Sequence, residues 1–221
     1  MCSKNEKLEN EKPESANLTR RQWLTLSVAT GLLELIPGVS YANIIHEIKG
    51  KVWVNNTSAT LTSLIKPGDT VKTGSNSGII FVMGEDVYRL GSHSTLRLRG
   101  DETSSLVNTM RLLNGTLMSV FSKGERVIQP PTAAIGIRGT AVFIQVNTKG
   151  TYFCTCYGTT TITLQGNQRV QSVNATHHRA YFITHNLNNT QISADTLKGH
   201  QDRELFYLES LVGRKPPSHF K

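Results

Sequence analysis

The chain has 221 residues, 38% hydrophobic and 18% charged, and its 24 Lys and Arg against 16 Asp and Glu give a formal net charge of +8. This composition excludes collagen, long coiled coil and wholesale disorder, and three cysteines are too few for a disulfide scaffold. No apolar run reaches the roughly 18–20 residues of a spanning helix, which excludes a polytopic membrane protein, and the basic balance favours anionic partners.

Residues 1–18 are polar, with Lys4, Lys7, Lys12, Glu6, Glu9, Glu11 and Glu14 around Pro13, and are predicted to be a disordered tail. Residues 19–42 have the layout of an export signal. Thr19-Arg20-Arg21-Gln22-Trp23-Leu24 opens a weakly apolar run that ends at Pro37-Gly38, and Ser40 and Ala42 place small residues at a cleavage site after Ala42. The arginine pair followed by Trp23 and Leu24 is similar to the twin-arginine export motif, whose route carries folded proteins. Export to the periplasm follows, or an inner-membrane anchor facing the periplasm if the segment is retained. The membrane is then touched only through this segment. Cys2 lies too far upstream to be a lipoprotein cysteine. Residues 1–42 hold five basic and five acidic side chains, so the remainder keeps the full +8. Its expected partner is an envelope protein or an anionic envelope component. Nucleic acid fits the charge but not the compartment.

From residue 43 to about 185 the pattern is that of strands. Runs rich in Val, Ile, Thr, Tyr and Phe are separated by Gly, Asn and Pro: Val52–Val54, Ile79–Val82, Val87–Leu90, Thr95–Arg99, Thr109–Leu113, Thr116–Phe121, Ala134–Val146, Thr151–Tyr157, Thr159–Leu164, Gln168–Val173 and Ala180–Thr184. The prediction is an all-β domain, a compact layered β roll, sandwich or short solenoid. Residues 186–221 are a C-terminal extension with one α-helix at about 202–212. Asp202 is its expected cap, Leu205, Leu208, Leu211 and Val212 its apolar stripe, and Gly213 and Pro216-Pro217 its stop.

Four segments stand together: Gly50-Lys51-Val52-Trp53-Val54, then Leu64-Ile65-Lys66-Pro67-Gly68-Asp69-Thr70-Val71-Lys72-Thr73-Gly74, then Phe81 to Leu98, and most specifically Pro130-Pro131-Thr132-Ala133-Ala134-Ile135-Gly136-Ile137-Arg138-Gly139-Thr140-Ala141-Val142-Phe143. In this order they resemble the FecR domain family. The resemblance covers about residues 48–165 and implies an exported, β-rich, non-catalytic binding or signalling module. The best-known family members carry a long cytoplasmic domain that holds a sigma factor. Only about 18 residues precede the arginine pair here, so the iron-citrate signalling role is not expected to carry over. Arg138, Gly139 and Thr140 suit a structural corner: a planar fork of donors for a carbonyl or carboxylate, a residue permitting close backbone approach, and a hydroxyl bonding within the turn.

One constellation carries chemistry. Cys154 and Cys156 lie at i and i+2 on a predicted strand and so face the same side. His177 and His178 open a later strand and would point to opposite faces. Two thiolates with one or two imidazoles suit a divalent metal such as zinc. The alternatives are a Cys154–Cys156 disulfide, structural or redox-active, and two free cysteines. An i, i+2 bridge would stretch the Cα separation to about 6.5–7 Å, near the limit for a disulfide. No phosphate-cradling glycine loop, nucleophile elbow or paired-carboxylate set is present, so no catalytic residue and no enzymatic activity is expected.

Overall fold

The computed structural model describes residues 43–101, 106–166, 169–184, 190–218 and 220. The expected tail and the export segment, with Arg20, Arg21, Trp23, Leu24 and Ala42, lie outside the described residues. The described part is all-β, with fourteen strands in one continuous antiparallel sheet except for a single parallel pairing, and one helix.

Strands β1 (Ile44–Lys49), β2 (Val52–Val54), β3 (Thr57–Ser58), β4 (Thr70–Thr73), β5 (Gly78–Met83), β6 (Asp86–Leu90) and β7 (Thr95–Asp101) are short. Strands β8 (Leu106–Val120), β10 (Ala133–Asn147) and β11 (Gly150–Leu164) run for 15 residues each, with β9 (Glu125–Ile128) before β10. The chain then continues through β12 (Val170–Ala175), β13 (Arg179–Thr184), β14 (Ile192–Asp195) and helix α1 (Asp202–Ser210).

The long strands serve two layers. The first half of β10 pairs with β9 and its second half with β8. The first half of β11 pairs with β13 and its second half with β12. Each long strand bends where the sequence suggests a break: Gly115, Gly139 and Gly158 have φ of 83°, 55° and 90°. A left-handed glycine lets a strand turn a corner without giving up its ladder. That is why runs expected to be separate, such as Thr151–Tyr157 and Thr159–Leu164, are one strand. β14 joins the sheet through β13, so the expected extension continues the β structure before its helix.

The Arg138-Gly139-Thr140 segment sits at the β10 bend, where register shifts between Arg138 and Ala141. Arg138 pairs with Glu125 at 2.6 Å on the exposed rim. The Thr140 hydroxyl, fully buried, donates to the Tyr157 carbonyl across the β11 bend.

Alternation divides the apolar residues between two cores. On β5, Ile79, Phe81 and Met83 enter the main core while Ile80 and Val82 face the other side. A strand apolar on both faces must be covered on both faces. The main core lies between the layers and takes every buried member from the strands and the loops joining them, between Ile45 and Ile183. The second core lies on the outer face, where Leu205, Leu208, Val212 and Phe220 cover Val82, Val87, Met118, Val120, Phe143 and Tyr157. The buried Asp86–Arg126 ion pair at 2.9 Å, with Ser122 also on Asp86, ties β6 to β9.

The helix is shorter than expected and begins one residue earlier at its cap. Gln201, not Asp202, is the cap, and its N–H donates to the Glu204 carboxylate at 2.9 Å. Asp202 is drawn elsewhere, to two histidines.

Candidate metal centre

Cys154 and Cys156 project from the same face of β11 into the second core, both fully buried. The intervening Thr155 turns the other way and bonds Thr160. Both thiols are free. Two imidazoles meet them. His178 comes from the turn between β12 and β13, not from a strand, at φ 33°. His200 comes from the segment after β14, just before α1. The donor atoms of Cys154, Cys156, His178 and His200 all lie within 4.8 Å of one another.

The distances have a recognisable shape. Cys154 Sγ is 3.5 Å from His178 Nδ1, Cys156 Sγ is 3.3 Å from His200 Nε2, and the two ring nitrogens are 3.3 Å apart. A tetrahedral zinc with Zn–N of about 2.0–2.1 Å and Zn–S of about 2.3 Å spans N···N edges of about 3.3–3.4 Å and S···N edges of about 3.5–3.6 Å. The His178–His200 edge and the Cys154–His178 edge match those values, and the Cys156–His200 edge is about 0.2 Å shorter. Two thiolates also balance a dication, leaving no net charge in a buried place.

The outer nitrogens are fixed as well. His178 Nε2 is 2.7 Å from Asp202 Oδ1, and His200 Nδ1 is 2.9 Å from the Lys198 carbonyl. Each contact can hold a proton on the outer nitrogen, so that a metal bound at the centre would meet a lone pair on the inner one. Metal-ligating histidines are oriented in this way. The His200 ring is further held by stacking on Phe143 at 4.5 Å.

Protonation follows from the same contacts. The Cys154 thiol is lowered well below the ordinary range by hydrogen bonds from Cys156, His178 and His200, against burial. Burial, and then the hydrogen bond to Cys154 and its charge, push Cys156 up. Burial works against protonation of His178, but its bonds to Cys154 and Asp202 outweigh it and raise it. Without a metal only one of the two sulfurs therefore ionises readily. A divalent cation would displace the remaining proton and be held by both.

His177 is not part of this cluster. It is 42% exposed, with its Nε2 3.1 Å from Asp202 Oδ2 and its ring 4.7 Å from Phe220. The turn ahead of β13 sends both His177 and His178 toward Asp202, where a regular strand would have opposed them. His200 carries no signal in spacing: it follows Cys156 by 44 residues and belongs to a segment brought over by β14.

Fold and cluster together define a β-sheet protein with a buried set of two thiol and two imidazole donors. No family model matches the sequence, and no curated protein matches it. Among solved structures, the chain is similar to a protein described as a "putative anti-sigma factor" from Parabacteroides distasonis. The TM-score is 0.49 at 9% identity, covering 63% of this chain and 64% of that one. A second structure with the same description matches with TM-score 0.47 at 10% identity, covering 57% and 59%. The chain thus spans less than two thirds of the length of either.

Proposed function

We propose that this chain is a non-catalytic, metal-binding β module of the cell envelope, in which Cys154, Cys156, His178 and His200 hold a divalent metal such as zinc. The observation that carries the reading is the convergence of four soft or borderline donors from three separate chain segments, all within 4.8 Å of one another, with both outer imidazole nitrogens already engaged. Ordinary core packing gives no reason to bring two thiols and two imidazoles together in an apolar interior, where each unpaired polar group is costly.

A closed set of four protein ligands is the pattern of a structural zinc site rather than a hydrolytic one, which keeps a position open for water. The thiols are fully buried, so a redox partner has no approach to them, and the thiol-exchange alternative is not favoured. Placement in the envelope is supported by the twin-arginine-like segment, and the character of a FecR-like binding or signalling module by the signature residues around Arg138, Gly139 and Thr140. The +8 charge supports an anionic envelope component, or an acidic envelope protein, as partner.

The test is elemental analysis and calorimetric zinc titration of reduced protein. One zinc per chain is expected, with binding weakened in Cys154→Ser and in Cys156→Ser and lost when both are changed. Reduced wild-type protein that takes up no zinc would discard the reading. Export is tested separately by changing Arg20 and Arg21 to Lys, and unchanged export would discard the address.

A further inference from the structure

The ligands are unevenly distributed. Three come from the sheet and its turn, whereas His200 comes from the C-terminal segment that crosses the outer face. Asp202, which orients His178, is the first residue of α1. The centre is therefore a joint between the sheet and residues 196–218.

Apart from the centre, that segment is held by one small apolar patch and a set of mostly peripheral polar ties. A nine-residue helix is too short to persist alone. Its apolar hold is Leu205, Leu208 and Val212, with the Phe220 ring seated against Tyr157, His177 and His178. Its polar ties are the Tyr152 hydroxyl with Thr196 and Lys198, Tyr157 with Glu209, Arg89 with Glu204, Arg214 with the Glu85 carbonyl, and His177 with Asp202. The main core contains no residue from this segment. The two parts can separate without dismantling the space between the layers.

Resting on the metal-centre reading, we infer that metal occupancy controls the docking of residues 196–218. With metal bound, His200 and Asp202 pin the segment across the outer face and α1 covers it. Without metal, the segment is released while the sheet stays folded, and the face formed by Val82, Val87, Met118, Val120, Phe143 and Tyr157 is uncovered. The chain then reports metal availability through the position of its own C-terminal helix.

The test is hydrogen exchange on the full reduced chain, with zinc and after chelation, with bound zinc counted in each sample. Removal of zinc is expected to speed exchange of the α1 amides at least about tenfold while β8, β10 and the first half of β11 keep their protection. His200→Ala with zinc present should exchange like the chelated wild type, and His177→Ala, which gives up its contacts to Phe220 and Asp202, closer to the zinc-loaded one. Chelation of wild type needs no substitution, so a variant that misfolds does not weaken the test. Bound zinc with unchanged exchange in α1 overturns the coupling and leaves the centre standing. Equal loss of protection in α1 and the sheet also overturns it, since the metal then holds the whole domain. Absence of bound zinc removes the centre and the coupling together.

Discussion

The sharpest consequence of the geometry is a difference between two histidines. His177→Ala removes a half-exposed ring whose polar contact is Asp202, at 3.1 Å, while Asp202 keeps its 2.7 Å contact to His178. His200→Ala removes one of four proposed ligands and the ring stacked on Phe143. Structural zinc sites contribute about 10–16 kcal/mol, so one ligand of four corresponds to about 2.5–4 kcal/mol. At 1.4 kcal/mol per tenfold, zinc affinity should fall about a hundredfold to a thousandfold in His200→Ala. The loss in His177→Ala should not exceed about fivefold, the worth of an exposed ion pair. Competition with a chromogenic zinc chelator in reducing buffer measures both, and circular dichroism checks that each variant keeps its strands. Equal losses, or no loss in His200→Ala, would refute the assignment of ligands.

Other expectations concern the frame. Gly158→Ala should destabilise by about 2–3 kcal/mol, because φ is 90° and the new Cβ would lie 2.7 Å from the buried Thr140 Cβ, whereas Gly166→Ala, with φ 93° and open space around it, should cost only about 1 kcal/mol in urea unfolding. Arg126→Leu should cost about 3–5 kcal/mol by leaving buried Asp86 without its cation, measured in the same way. Burial would raise the Glu204 carboxyl, but the Arg89 guanidinium and the Gln201 N–H outweigh it and hold the carboxyl low. Its contribution is therefore present above the ordinary carboxylate pKa and is lost as pH falls through the lowered value. Arg89→Ala should flatten that acid-side loss in thermal melts recorded against pH.

Much of the fold was legible because its determinants are local. Runs such as Ile79-Ile80-Phe81-Val82 show both strand propensity and coverage on two faces, and the Asp202–Ser210 stripe with its glycine stop marks the helix. Strand continuity was not legible, since a left-handed glycine looks like a terminator whether the ladder stops or merely bends. The cysteine pair was legible because i and i+2 share a strand face. The histidines were only half legible. Choosing His178 over His177 depends on a single φ of 33° in a turn. His200 depends on β14 returning the chain to β13, a pairing that no spacing between Cys156 and His200 encodes. Asp202 was expected at a helix cap, and its role passed to Gln201 because two imidazoles compete for its carboxylate.

Cobalt titration of the reduced, metal-free chain tests the central claim most directly, since Co²⁺ reports both coordination number and thiolate ligation in its absorption. The predicted result is one cobalt per chain with the intense visible bands of a tetrahedral ion and a thiolate charge-transfer band of two-sulfur strength. Zinc should displace the cobalt, and Cys156→Ser should weaken the charge-transfer band. A weak octahedral spectrum, or a charge-transfer band that survives loss of both Cys154 and Cys156, would contradict it.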